Sequence, residues 1–156
     1  MKLRLVSACA LALLFSSCTK SDLPSPQAGK SASEVVKMFV EMSAGAKGPE
    51  DRKKIQELCM GEMRRTFERM NEEAFRLIYL DSKVTILNFK FLETKEEGNT
   101  SKVAYQLTVD NKQGTDPTKE VNSREVDLTK VNNAWYIENI RMKGSDQVAF
   151  TRGMLF

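Results

Sequence analysis

The chain reads as one α+β domain, with its helices first and its antiparallel strands after them. Between Ser31 and Leu80 apolar residues recur at the three-and-four spacing of a helix. From Lys83 to Met142 the pattern changes to the two-residue alternation of strands broken by turn residues. No internal repeat or low-complexity tract appears, and 156 residues suit a single domain. Helices gathered ahead of strands, rather than interleaved with them, imply a curved antiparallel sheet of four or more strands wrapped on helices.

Ahead of this domain stands a leader. Lys2 and Arg4 form a positive start, Leu5 to Phe15 an apolar stretch, and Ser16 and Ser17 a small-residue step before Cys18. The apolar stretch falls short of the roughly 20 residues that a spanning helix needs. The run Leu13-Leu14-Phe15-Ser16-Ser17-Cys18 resembles a bacterial lipoprotein signal. That resemblance implies removal of residues 1–17, a diacylglycerol thioether on the Cys18 sulfur and an acyl group on its new amino terminus. Val6-Ser7-Ala8-Cys9 is a second match, with too little apolar chain before it. Two or more acyl chains, at about 0.8 kcal/mol per buried methylene, would hold the protein firmly to a membrane. Thr19 follows the lipidated cysteine where enteric bacteria place residues that direct sorting, so the expected location is the outer membrane, facing the periplasm. Residues 18–30, with Pro24 and Pro26 among Ser, Gln and Gly, read as a flexible linker reaching at most about 40 Å when extended.

The domain proper is expected over residues 31–144. Ser31-Ala32-Ser33-Glu34 has the form of a capping box, followed by Val35, Val36, Phe39 and Val40 on one stripe, and Gly45-Ala46-Lys47-Gly48 ends the helix. Pro49 suits the first position of a second helix, with Glu50 and Asp51 set favourably against its amino-terminal dipole. Ile55, Leu58 and Cys59 form its buried side, and Gly61 interrupts it before Met63, Phe67 and Met70. Asn71 caps a further helix, Glu72 to Leu80, that buries Ala74, Phe75, Ile78 and Tyr79. The strands are Lys83 to Thr94, Lys102 to Asp110, Glu120 to Lys130 and Ala134 to Met142. They are joined by a hairpin at Glu96-Glu97-Gly98-Asn99, a polar loop through Gly114, Asp116 and Pro117, and a tight turn at Asn132-Asn133.

Two strands break strict alternation. Val84 and Ile86 oppose Leu87, Phe89 and Phe91, and Trp135 and Ile137 oppose Tyr136 and Ile140. A bulge that shifts the register would place them all on one face; cover of both faces by a second copy, as a homodimer, is the alternative.

Composition excludes several kinds of chemistry. The chain carries 24 basic and 21 acidic residues, and losing Lys2 and Arg4 with the leader brings it close to neutrality, which leaves no electrostatic footprint for nucleic acid. With no histidine, the commonest general base and metal ligand is missing. Once Cys9 leaves and Cys18 takes lipid, Cys59 remains alone, so no intramolecular disulfide forms. Cys59 reads as a core residue. A copper(I) site made with Met60 and Met63 is the sharper alternative. Alternation sets Glu125 and Asp127 opposite Val126 and Leu128, on the solvated face, away from any interior acid–base role.

The opening Ser-Ala-Ser-Glu-Val-Val-Lys-x-Phe, the cysteine late in the next helix, the long hairpin and Trp135-Tyr136-Ile137 after an Asn-Asn turn resemble a known group. These are the small bacterial lipoproteins with a lumazine-binding-like domain of unknown function, in the nuclear-transport-factor-2-like superfamily. The resemblance implies a cystatin-like cone, a curved sheet closed by helices. It carries over no catalytic residue, metal or cofactor. In such a cone Phe39, Phe75, Tyr79, Tyr105 and Trp135 are the bulky residues expected to line or fill the interior. The expected role is a non-enzymatic binding or assembly module of the cell envelope, meeting its membrane through the lipid and an envelope protein or small ligand through the domain. A carrier of a small apolar ligand and a cyclase- or isomerase-type enzyme are the alternatives. Residues 145–156, with Val148, Phe150, Met154 and Leu155, form a tail of unassigned role. Replacing Cys18→Ser is expected to abolish incorporation of labelled lipid; label retained in that variant with Cys9 intact would move the acylation site.

Overall fold

A computed structural model describes residues 25–112 and 118–145. The leader, Cys18, most of the linker, the polar loop through Gly114 and all of the tail after Ser145 lie outside the described residues.

Four α-helices precede four strands: α1 (Ala32–Ala44), α2 (Asp51–Glu57), α3 (Gly61–Arg69), α4 (Glu72–Phe75), then β1 (Val84–Glu97), β2 (Thr100–Asn111), β3 (Thr118–Val131) and β4 (Ala134–Met142). The strands form an antiparallel meander in the order β1-β2-β3-β4, so the α+β class and the helices-then-sheet order are as expected. Helices α1 and α4 begin on side-chain caps. The Ser31 hydroxyl accepts from the Glu34 amide while the Glu34 carboxylate accepts from the Ser31 amide, closing the capping box. Asn71 accepts from the Ala74 amide at the start of α4.

The structure moves three boundaries. Helix α2 opens at Asp51, not Pro49, because the Asp51 carboxylate turns back to accept from the amides of Lys47 and Gly48, which hold its pKa down to about 2. Cys59 lies just past α2, where Leu58 and Met60 pair with Ile137 along the edge of β4; its burial is as expected, its place on a helix is not. The helix expected to run to Leu80 becomes π-helical over Arg76–Leu80, a wider turn that still buries Tyr79.

Residues 25–30, expected as linker, pack on the domain. Gln27 is fully buried and its Nε2 donates to the Glu57 carbonyl at 2.9 Å, while Ala28 bridges to Ala134. The segment has little to bury, but the outer edge of β4 has backbone groups that need partners, and this peptide supplies them.

Bulges restore the alternation that the sequence appears to break. In β1 the register with β2 shifts at Leu87, so that Ile86 faces Val109 and Phe89 faces Leu107 on the same, helix-covered face. A second shift at Leu92 places Glu93 opposite Ala104, on the other face. In β4 the register slips between Asp127 and Leu128 of β3, leaving Glu138 as the extra residue and turning Trp135, Ile137 and Ile140 inward together. The Asn132-Asn133 turn has both residues at positive φ, the conformation a two-residue hairpin demands and asparagine tolerates.

The core is the space between α1, α3, α4 and the inner sheet face. Phe67 stands at its centre, edge-on to Phe39 at 6.4 Å between centroids and 6.0 Å from Tyr79, which stacks on Phe75 at 4.6 Å. Phe67→Ala would open a cavity that neither aromatic neighbour can refill. The expected loss is about 3–5 kcal/mol, read as a fall in the urea midpoint at unchanged slope.

Candidate functional site

Interior and exterior of the sheet were the two places where a site could form. The interior is filled. Phe39, Phe75, Tyr79, Tyr105 and Trp135 all lie at or below 5% exposure. Phe39, Phe75 and Tyr79 meet through Phe67, as described. Tyr105 sits apart from them, stacked on Phe89 at 5.3 Å, and Trp135 lies under the Lys130 ammonium near the far end of the sheet. The five residues thus do not converge on one space. They fill three regions of a continuous core.

Two features of this interior carry chemistry. The hydroxyls of Tyr79 and Tyr105 are buried without a hydrogen-bond partner, and burial pushes both phenols well above their ordinary range. Arg124, which alternation with Val126 and Leu128 turns inward, is buried opposite Tyr105 in the β2–β3 register. Burial lowers its guanidinium, the nearby Tyr105 opposes that shift, and one of its nitrogens donates to the Ser123 carbonyl at 3.3 Å. The sequence reading passed over Arg124, although its parity with Val126 was enough to find it. Cys59 is inert by the same physics: its Sγ donates to the Ile55 carbonyl at 3.4 Å and burial drives its thiol far upward. Glu125 and Asp127 do not join these groups, since they face outward as alternation requires. Among the described residues no cluster of three or more acidic, cysteine or histidine side chains could hold a metal ion.

On the outer face a groove of about 610 Å³ is lined by residues of all four strands. Register builds it row by row. Glu93, Ala104, Glu125 and Arg141 lie side by side across the four strands. In the next row stand Lys95, Lys102 and Asp127, and beyond them Glu97, Thr100 and Thr129. Ala104 is the floor: it is buried on a face that is otherwise charged, and its single methyl lets the strands curve inward beneath the rows. Glu138, displaced by the β4 bulge, completes the wall.

The charges are fixed in place. Arg141 donates to the Glu125 carboxylate through Nε at 3.0 Å and Nη2 at 2.8 Å, and from Nη2 to Asp127 at 2.8 Å. The Glu125 bonds, with Asp127 beside them, raise the guanidinium pKa, so it stays a cation at any working pH. Lys95 lies 3.0 Å from Glu93, whose carboxylate holds its ammonium upward. Five carboxylates against Lys95 and Lys102, with Arg141 already clamped by two of them, leave a polar, mildly acidic groove. Its donors and acceptors suit an extended polar partner; it has neither the apolar wall nor the enclosure that a small apolar molecule needs.

No family model matches the chain, and no curated protein matches it. Solved structures do. The intermembrane space region of the chloroplast protein ARC6 is 16% identical, with a TM-score of 0.51, over 73% of this chain and 95% of that one. A SEC-C motif-containing protein from Rhodopseudomonas palustris is 14% identical with a TM-score of 0.45, covering 74% and 94% of the two chains. The Ntf2-like potential transfer protein TraM from the Gram-positive conjugative plasmid pIP501 is 9% identical with a TM-score of 0.42, covering 72% and 94%. The likeness to the ARC6 region is one of fold.

The clamp on Glu125 and Asp127 generates a prediction. Arg141→Met keeps the length of the side chain but leaves two neighbouring carboxylates facing each other. It should cost about 1–2 kcal/mol in chemical unfolding, between the values for exposed and for buried pairs, because these side chains are only about one-fifth to one-quarter exposed.

Proposed function

We propose that this chain is a lipid-anchored, non-enzymatic binding or assembly module of the bacterial cell envelope, which engages a polar partner through the outer groove of its sheet. The observation that carries the reading is the contrast between the two faces: aromatic side chains occupy the interior, and the groove described above lies outside. Anchoring rests on the leader and on Cys18, with the resemblance to a bacterial lipoprotein signal behind it. The nuclear-transport-factor-2-like assignment rests on the residue pattern from Ser31 to Gly144 and on the order of helices and strands. The module ranks above a carrier because Phe67 and its neighbours occupy the space an apolar ligand would take. It ranks above an enzyme because Glu125 and Asp127, the acids on either side of Val126 in β3, face outward, away from the buried Tyr105.

A photoreactive amino acid at Lys102 or Thr129, inside the groove, tests this in growing cells, with Leu77 on the helical side as the comparator. The expected outcome is a discrete envelope-protein adduct from Lys102 and Thr129 and none from Leu77. Adducts from Leu77 alone would move the binding face to the helices and overturn the groove.

A further inference from the structure

The two edges of the sheet are treated differently. Along β4, Ile137 exchanges backbone hydrogen bonds with Leu58 and Met60, each at 2.9 Å, and Ala134 is bridged by Ala28. That edge is covered at Ala134 and Ile137. Along β1, from Thr85 to Glu96, the backbone groups that point away from β2 bond to nothing among the described residues. The open edge also carries exposed apolar side chains, with Leu87 49%, Leu92 38% and Phe91 36% exposed. A long edge strand with unpaired backbone groups and surface leucines is a template for another strand.

From this edge we infer that β1 pairs antiparallel with β1 of a second copy, about a two-fold axis passing between Phe91 and Leu92. The register follows from two conditions. The first is that residues across a ladder share a face. Pairing with β2 puts Asn88, Lys90, Glu93 and Lys95 on the outer face, opposite Thr108, Gln106, Ala104 and Lys102, and puts Phe89, Phe91 and Thr94 inward with Leu107, Tyr105 and Val103. The second is that the new ladder adds no further like charge beside Lys95, which already stands opposite Lys102 within the sheet.

Placing Lys90 across from Glu93 meets both conditions. Asn88 then faces Lys95, Phe89 faces Thr94, and Phe91 meets Leu92 on each side of the axis. Moving the strands apart by two residues keeps the faces but sets Lys90 against Lys95. Moving them the other way sets the outward Lys90 against the inward Phe91. The bulge at Leu92 is what makes the favoured register consistent, since without it Lys90 and Glu93 would lie on opposite faces. Two Lys90–Glu93 pairs and a central patch of two phenylalanines and two leucines would then hold an eight-stranded sheet together, with the outer grooves of the two copies on one continuous face.

Glu93 lines the groove as well, so the variant that separates this inference from the groove reading is Lys90→Glu, because Lys90 is not a groove residue. Sedimentation velocity of the full chain in detergent, over a concentration series, reads the dimer directly. The expected result is a concentration-dependent dimer that Lys90→Glu or Glu93→Lys each weakens about tenfold, as reversing one member of two symmetric cross-strand pairs implies. The double variant K90E/E93K restores it, which a folding defect would not do. A full chain that stays monomeric throughout, or a dimer indifferent to both single reversals, overturns the inference. Lys90→Glu that removes the dimer while leaving groove adducts intact would keep the two readings separate.

Discussion

Everything in this structure depends on keeping one face of a strongly twisted sheet apolar along its length. In a strand a slip of one residue sends every following side chain to the other face. The chain meets this constraint with extra residues at Leu87, Leu92 and Glu138. Without the bulge at Leu87, Phe89 would point to solvent whenever Ile86 points inward. Without that at Glu138, Ile140 would leave the core that Trp135 and Ile137 occupy. Each bulge displaces one residue to gain a row of inward ones. For Leu87 the displaced residue is a half-exposed leucine, which forgoes roughly half of the ~1.5–3 kcal/mol of full burial, and in return Phe89 packs against the core.

The same bulges shape the outside. Bulges add local twist to a strand, and the groove lies beside those at Leu92 and Glu138. Ala104 stands on its floor between Glu93 and Glu125, where a larger side chain would fill the space between the rows. The groove's charges follow from the same alternation that buries Val103, Tyr105, Val126 and Leu128, because every inward residue has an outward neighbour that water must solvate. Their organisation into a clamp does not follow from alternation. Arg141 bridging Glu125 and Asp127 requires β4 to be held beside β3 in one register, and the backbone bonds from Leu58 and Met60 to Ile137 help hold it there.

Much of the fold was legible in the sequence, because its signals are local. The capping box at Ser31, the asparagine cap at Asn71, the break at Gly61 and the Asn132-Asn133 turn each depend on residues a few positions apart. The doubled apolar pattern in β1 and β4 pointed to bulges, and Leu87 and Glu138 are two of them. What could not be read were interactions between distant segments. Nothing in Ser25 to Lys30 signals that a polar, proline-containing peptide will close the edge of β4, since the partners are backbone groups that carry no sequence signature. The bulge at Leu92 was equally silent, because Glu93, Thr94 and Lys95 read as an ordinary polar strand end. The groove required three registers at once, and the sequence reading looked for a site among aromatic residues that pack on one another.

The filled interior also bears on how this fold can work. A cone emptied enough to hold a ligand loses the dispersion contacts of its lining and keeps only the sheet and helix caps to hold it together. Here Phe67 brings Phe39 and Tyr79 into one cluster, so removing any of them to make room would cost several kcal/mol out of a total of about 5–15 for a domain of this size. On the function proposed above, recognition would fall instead to side chains that are ordered but still solvated, such as the rows of Glu93, Lys95, Lys102, Glu125 and Asp127. Glu93, Lys95, Glu125 and Asp127 are already held in ion pairs, so they would need little reordering to meet a polar partner, which lowers the entropic cost of binding.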